Sequence, residues 1–204
     1  MSNPRRLSMS AVGLLAITTL ANAQEAEPTV KALAVPEDPA QNAVLIGRVN
    51  TGDMVFQLEL EGAESMWVPI GQMPMGQMTP VAQPLVWAEQ APAADQRYHV
   101  EFKLTDPVST TRIPYAQVTF AAVNQDNSRE FSLVLPPMWG SSGLHYSENG
   151  ALAGDGAYTA TVTVGVPTFM REIQDKDLWS QPVSARFHFR LVDGKITEVS
   201  EPQD

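Results

Sequence analysis

Residues 98–104 read YHVEFKL, and this stretch decides the fold class. Apolar and polar side chains alternate strictly along it. The apolar set is Tyr98, Val100, Phe102 and Leu104, and the polar set is His99, Glu101 and Lys103. Because successive side chains of a strand point to opposite faces of a sheet, the stretch predicts a β-strand with one apolar and one polar face.

The chain on either side of this stretch continues in the same manner. Short runs rich in β-branched and aromatic residues alternate with turn clusters, and no window of 11 or more residues has a helical period. The further predicted strands are 43–49, 54–60, 114–124, 130–135, 156–166, 183–192 and 195–199. We therefore expect an all-β protein, an antiparallel β-sandwich of the immunoglobulin type, with a closed barrel as the alternative.

The amino-terminal residues have the pattern of a signal peptide. Arg5 and Arg6 precede an apolar run at 11–20, and Ala21-Asn22-Ala23 offers small residues for cleavage before Gln24. The apolar run spans only about half of a ~30 Å hydrocarbon core, which disfavours a membrane anchor. We expect a signal peptide at 1–23 and a periplasmic protein.

The remaining chain is expected to form one domain. Residues 24–41 are rich in Pro, Glu and Ala and predict a flexible lead-in. A single β-sandwich domain is expected over 42–204. Within it, 66–80 reads MWVPIGQMPMGQMTP, which predicts a methionine-rich loop, since prolines and glycines interrupt regular elements.

Composition excludes several classes of function. The chain has no cysteine, which rules out disulfides and thiolate metal sites. Its 13 basic and 23 acidic side chains give a formal charge of −10, which argues against nucleic acid and suits cations. The sequence contains no P-loop, nucleophile elbow or metalloprotease helix, so we do not expect an enzyme, although redox activity of a bound metal stays open.

Two pairs of residues have the chemistry of metal ligands. His99 and Glu101 are two apart on a strand and project from one face roughly 6–7 Å apart, although an exposed polar face has the same pattern. His145 lies seven residues after Met138 in the segment 136–149, which we expect to be a loop that either presents ligands or packs on the core. Thioethers suit Cu(I), and imidazoles suit copper, zinc or iron. His188, the remaining histidine, is expected on a solvated strand face.

Motifs in a fixed order resemble those of the periplasmic iron-transport family. They are His99-Val100-Glu101, Pro114-Tyr115, LPPM at 135–138, GLHY at 143–146 and GDGAY at 154–158. This family comprises copper- and iron-binding proteins associated with ferrous-iron permeases and a spirochaete membrane antigen. The resemblance implies an immunoglobulin-like homodimer that binds copper, and iron with it. The metal ligands that it implies are His99, Glu101, Met138 and His145, with Tyr146 as a structural residue.

Five further residues are candidates for additional metal ligands. Members of the family commonly have a histidine in the loop after the GDGAY-like strand, whereas 167–181 contains none and has Glu172 and Met170 nearby. A carboxylate there would favour Fe(II) or Mn(II) over copper. Met73, Met75 and Met78 could hold Cu(I) without cysteine, or could fill gaps in irregular packing.

Together these observations predict a periplasmic protein that binds copper and ferrous iron and supports high-affinity iron uptake by an inner-membrane permease. The alternative is a metal-free β-sandwich that acts as a protein-interaction module.

Overall fold

The computed structural model describes residues 29–72 and 85–200. Strands dominate this part of the chain, and we number them in chain order. They are β1 Val30–Glu37, β2 Val44–Thr51, β3 Met54–Gly62, β4 Met66–Gln72, β5 Leu85–Gln90, β6 Tyr98–Thr105, β7 Val118–Asn124, β8 Arg129–Leu135, β9 Pro137–Gly140, β10 Gly143–Gly150, β11 Gly156–Val164, β12 Val183–Val192 and β13 Lys195–Ser200.

The strands form two large antiparallel sheets and a small hairpin. The six-stranded sheet has the order β1-β13-β12-β11-β7-β8, and the five-stranded sheet has the order β2-β3-β6-β10-β9. Strands β4 and β5 pair only with each other. The predicted all-β, immunoglobulin-like antiparallel sandwich is confirmed, in place of a closed barrel. The one helix among the described residues is a 3-10 turn at Ile173–Asp175, and no described helix is long and apolar enough to cross a membrane.

One hydrophobic core lies between the two large sheets. The predicted inward set of β6 is fully part of it, and Val100 and Phe102 are both 0% exposed. The Phe102 ring packs edge-on against Phe56 of β3, with 5.0 Å between the ring centroids. Burying each such side chain contributes about 1.5–3 kcal/mol. The alternation along β6 therefore holds the strand in place and directs His99 and Glu101 to the outer face of the five-stranded sheet.

Two predicted irregular segments are partly regular. In the expected loop 66–80, residues Met66–Gln72 form β4, and Pro69 lies at a bulge in the pairing with β5, where its missing N–H is tolerated. In the expected lead-in 24–41, Val30–Glu37 forms β1 at the edge of the six-stranded sheet. An edge strand accepts Pro36 because one side of it needs no partner. Met73, Met75 and Met78 lie outside the described residues.

The prediction of a loop at 136–149 is wrong, because this segment folds into the β9–β10 hairpin. The glycines and serines that suggested a loop are concentrated at its turn, where Gly143 has a φ of +84°. The register places Met138 directly opposite His145. Both candidate ligands therefore lie on paired strands at one edge of the five-stranded sheet.

Candidate metal centre

The outer face of the five-stranded sheet carries polar side chains on its three central strands, β3, β6 and β10. Alternation puts these side chains on one side and the core residues on the other. The register makes Glu61 and Asn149 the neighbours of His99 on either side. We call this block the polar face, and its members are Glu59, Glu61, His99, Glu101, Lys103, His145, Ser147 and Asn149.

Most of the polar face is buried, unlike an ordinary solvated strand face. His99 is 1% exposed, Glu101 6% and His145 4%. An exposed polar strand, the alternative that the sequence left open for His99 and Glu101, is therefore wrong. Burying polar groups is costly unless they have partners. The side chains of this face must bond to one another or to a ligand.

The imidazole of His99 presents a free nitrogen. Its Nδ1 lies 3.0 Å from Oδ1 of Asn149, whose Nδ2 donates to the carbonyl of Glu64 at 2.8 Å. Because that bond fixes the orientation of the amide, Oδ1 is the acceptor and Nδ1 of His99 carries the proton. Nε2 then carries the lone pair. It is buried without a hydrogen-bond partner, 3.6 Å from Oε1 of Glu64.

The imidazole of His145 is fixed in the same way by the β9–β10 turn. Its Nδ1 lies 2.9 Å from the carbonyl oxygen of Gly143, which can only accept, so Nδ1 carries the proton and Nε2 the lone pair. Gly140 packs against the ring, since a Cβ added there would come 3.0 Å from Cε1 of His145. A tautomer held by a backbone carbonyl is typical of metal-binding histidines.

The thioether of Met138 lies over the middle of the polar face. Its Sδ accepts a hydrogen bond from Oγ of Ser147 at 3.1 Å. Ser147 is the register partner of Glu101, and Met138 is the register partner of His145. The sulfur is therefore placed between the two histidines along β10.

The carboxylate of Glu101 connects the two ends of the polar face. Oε1 of Glu101 accepts from Oγ of Ser142 at 2.9 Å and from Nζ of Lys103 at 3.0 Å, and lies 3.9 Å from Nδ1 of His145. Burial alone would raise the pKa of Glu101, but hydrogen bonds from Lys103 and Ser142 and the proximity of His145 hold it below its usual range. Glu101 is therefore ionised at neutral pH and able to bind a cation.

Two more carboxylates accompany Glu101. Oxygens of Glu59, Glu61 and Glu101 lie within 4.8 Å of one another. Nζ of Lys103 also donates to Glu59 at 2.5 Å, and these bonds raise the pKa of Lys103 although burial opposes the shift. Burial and the charge of Glu101 raise the pKa of Glu61. The ammonium group of Lys103 is thus paired with the carboxylate cluster, and the Glu61 carboxyl of the cluster ionises at a higher pH than usual.

The structure brings the four predicted ligands onto one face but leaves them in two groups. Glu101, Met138 and His145 surround Ser142 and Ser147, whereas Nε2 of His99 faces Glu64. Within residues 29–72 and 85–200, the only His, Asp or Glu group whose ligand atoms lie within 4.8 Å of one another is the carboxylate cluster.

The structure does not bring the two additional candidates of the β11–β12 loop to this face. Met170 is 98% exposed, and the carboxylate of Glu172 accepts from Gln174. Neither forms a hydrogen bond or ion pair with the four ligands in the described part of the chain.

Sequence reasoning missed the partners that make this face a site. Glu59 lies at the end of the predicted strand 54–60, and Glu61 follows one residue beyond it. With a strand two residues longer, as β3 is, the two-residue spacing that singled out His99 and Glu101 would have found this pair as well. Asn149 and Ser142 gave no signal, because their roles depend on the register between strands.

Tyr146 fixes the strand that carries His145. Its ring points into the core and is 1% exposed. Its hydroxyl donates to the carbonyl of Ile113 at 2.9 Å and accepts from the N–H of Ala116 at 3.0 Å. The hydroxyl is thus fully used in a tyrosine corner, as expected of a structural residue.

Comparison with known proteins gives a partial match to one family model and a shared fold. The family model described as Fe2+ transport protein matches residues 109–192, which include Met138 and His145 but not His99 or Glu101. No curated protein matches the chain.

Solved structures similar to this chain include proteins from two bacteria. FetP of uropathogenic Escherichia coli strain F11 is 22% identical, with a TM-score of 0.54 over 74% of this chain and 97% of that chain. A copper-bound variant of P19 from Campylobacter jejuni is 20% identical, with a TM-score of 0.54 over 74% of this chain and 98% of that chain. The copper-reconstituted P19 protein is likewise 20% identical with a TM-score of 0.54 over 74% of this chain and 97% of its own. The resemblance predicted from the sequence is thereby confirmed: the chain resembles the Fe2+ transport protein family and has the fold of FetP and P19.

Proposed function

We propose that this protein binds copper and ferrous iron in the periplasm and supports iron uptake by an inner-membrane permease. Its ligands are His99, Glu101, Met138 and His145. The observation that carries the proposal is the buried Nε2 of His99, which has no hydrogen-bond partner while Nδ1 is held by Asn149. A lone pair that is buried and left unpaired is costly, and a metal ion is the ligand that a neutral imidazole accepts there.

The mixture of donors supports copper as one cargo. Neutral imidazoles accept both oxidation states of copper, the thioether favours Cu(I), and the carboxylate favours harder ions. Copper-bound and copper-reconstituted forms of P19, which has the same fold, support the same assignment. A copper ion bound there would supply one-electron redox chemistry. The protein fixes the tautomers of His99 and His145 and excludes bulk water from the site, because these side chains are buried.

Copper binding by the mature, untagged protein tests the proposal. Metal stoichiometry and affinity are measured for the parent and for His99→Ala and His145→Ala, with His188→Ala as the matched control. His188 lies on β12 of the other sheet, where its Nδ1 is 3.1 Å from Oγ1 of Thr159. The prediction of a solvated His188 is wrong, because its side chain is half-buried. Burial together with the charge of Arg186 lowers the pKa of His188.

We expect one copper per parent chain, a loss of about 10- to 100-fold or more in affinity for the His99 and His145 variants, and no change for His188→Ala. A folded His145→Ala protein that binds copper as tightly as the parent would overturn the proposal. Absence of binding in every protein would favour the metal-free interaction module.

The iron part of the proposal needs a transport measurement. It is supported by the match to the Fe2+ transport protein family. Cells that depend on this protein should take up less ferrous iron when it carries His145→Ala, and equal uptake would argue against the role. The expected homodimer and the expected absence of catalytic activity stay predictions, which sedimentation and an Fe(II) oxidation assay on the mature protein would test.

A further inference from the structure

We propose that the groove between strands β1 and β2 binds an extended, acidic peptide segment of a partner protein, which adds to the free edge of β2 as a further strand. The groove has a volume of about 530 Å³ and is lined from β1, β2 and β13. It lies at the edge of the five-stranded sheet opposite to β9, the strand of Met138. The inference is therefore independent of the proposed metal ligands and goes beyond the proposed function.

The two large sheets end at different places along this side of the sandwich. Strand β1 is the last strand of the six-stranded sheet and β2 is the last of the five-stranded sheet, and neither has a further neighbour among the described residues. Strand β2 packs mainly against β12 and β13. The six-stranded sheet therefore extends one strand beyond the five-stranded sheet, and no strand of the described chain lies opposite β1.

The inward side of β1 shows where the added strand would lie. Lys31 is the register partner of Val199, and Val199 and Leu33 both pack against the core. Because register partners share a face of the sheet, Lys31 also points toward the five-stranded sheet. Its side chain is nevertheless exposed, since no described strand lies opposite it. A strand added to β2 would cover Lys31 and complete the burial of Leu33.

The free edge of β2 offers backbone hydrogen bonds for such an addition. In the described part of the chain β2 pairs only with β3, and it contains no proline, so N–H and carbonyl groups along its other side are available. Strand β1 is less suitable, because Pro36 lacks an N–H. Leu45, which is 50% exposed, adds apolar surface beside the edge of β2. Extended peptides commonly bind proteins by adding a strand to an exposed edge of this kind.

The charge of the groove identifies the class of peptide. Lys31 and Arg48 line it from β1 and β2, and both side chains are exposed. Neither forms a hydrogen bond or an ion pair with another described residue, and no described acidic residue lines the groove. The whole chain has a net charge of −10. Two unpaired cations in one groove of such a protein favour an acidic ligand, because charges across an interface are arranged to be complementary.

Binding of synthetic peptides to the full mature protein tests the inference. The probe is a fluorescently labelled peptide in which valine and glutamate alternate over the length of β2, and the comparison peptide has glutamine in place of each glutamate. The variants are Lys31→Glu and Arg48→Glu. The matched control is Arg129→Glu, an equal change of charge at an exposed position of β8, at the far edge of the six-stranded sheet. Fluorescence anisotropy gives the affinities, and amide hydrogen exchange shows whether the edge of β2 becomes paired.

We expect Lys31→Glu and Arg48→Glu each to weaken binding of the glutamate peptide about five- to tenfold, because like charges then meet in the groove. Arg129→Glu should stay within about twofold of the parent, and the glutamine peptide should bind the parent about fivefold more weakly than the glutamate peptide. Amides of β2 should exchange more slowly in the complex.

Four results would each overturn the inference. They are no binding of the glutamate peptide by the parent, equal binding of the two peptides, equal affinities for Arg48→Glu and Arg129→Glu, and unchanged exchange in β2. The copper affinity of Arg48→Glu should equal that of the parent in every case, because Arg48 is not among the proposed metal ligands. Failure of the peptide site would therefore leave the proposed copper function standing.

Discussion

His99 and Asn149 are joined twice, as register partners across β6 and β10 and by a 3.0 Å contact between Nδ1 and Oδ1. Asn149 is itself held by the backbone of Glu64, with its Nδ2 donating to the carbonyl and its Oδ1 accepting from the N–H at 3.2 Å. The side-chain amide of Asn149 thus determines which nitrogen of His99 carries the proton. The backbone of Glu64, just before β4, determines the orientation of that amide. The free lone pair of His99 is a consequence of this arrangement.

Replacing Asn149 should therefore weaken metal binding although Asn149 is not a ligand. We expect Asn149→Ala to lower copper affinity about 10- to 100-fold, because the ring can then rotate and change tautomer. Asn149→Asp keeps an acceptor at Oδ1 and should retain most of the affinity. Titration with copper measures both, and equal affinities for the two variants would contradict a role through His99.

Gly140 should be sensitive to the smallest enlargement. Because a Cβ at this position would lie 3.0 Å from Cε1 of His145, Gly140→Ala must displace the imidazole ring. Overpacking of this kind costs about 1–3 kcal/mol, and if the bound state carries that cost, copper affinity falls by about 5- to 150-fold. Gly165→Ala is the control, since its nearest contact is an ordinary 3.5 Å. Equal copper affinities for the two variants would show that the ring is not held by Gly140.

Tyr146 should matter for stability more than for metal binding. Tyr146→Phe removes the acceptor of the Ala116 N–H and the donor to Ile113, both buried, and should lower the free energy of unfolding by about 1–3 kcal/mol. Tyr115→Phe, at a side chain that is 68% exposed, should have no measurable effect. Chemical denaturation gives both values, and copper stoichiometry should stay that of the parent. Loss of copper from folded Tyr146→Phe would instead make its hydroxyl part of the site.

Glu61 should make the stability of the metal-free protein depend on pH. Burial and the charge of Glu101 raise the pKa of Glu61 in the folded state above the value of about 4.3 for an unfolded chain. Glu64 adds to the shift, whereas a charged His99 reduces it. The stability contributed by the protonated carboxyl is therefore complete below that unfolded value, and is lost as pH rises through the folded pKa.

Glu61→Gln stays neutral at every pH, so its melting temperature in the presence of a chelator should rise relative to the parent as pH increases from 4 to 7. Glu130→Gln should show no such trend, since its carboxylate is exposed. A constant difference between Glu61→Gln and the parent across this range would mean that the pKa of Glu61 is not raised by folding.

The sequence predicted the strands whose apolar residues alternate over a sufficient length. The eight predicted strands each overlap an observed one, and 183–192 has the observed bounds of β12. Strands β9 and β10 were missed because β9 has four residues and the turn glycines and serines outweigh the alternation of the short segment. Strands β4 and β5 were missed because proline and glycine interrupt them, although a bulge accommodates Pro69.

The site was predictable only in part for a different reason. Alternation along β6 shows that His99 and Glu101 share a face, but it contains no information on whether that face is covered. Their burial, and the approach of Glu61 and Asn149, depend on the register of neighbouring strands, which a single sequence does not reveal. The ligands on one strand were therefore accessible from the sequence, whereas the residues that orient them were not.

The β9–β10 hairpin makes the seven-residue interval between Met138 and His145 a condition of their chemistry. A two-residue turn pairs these positions and points both side chains to the same side of the sheet. Because side chains alternate with a period of two, inserting or deleting one residue in β9 next to the turn would rotate the thioether to the opposite side. In this hairpin, the number of residues between Met138 and His145 decides whether the thioether and the imidazole lie on the same face of the sheet.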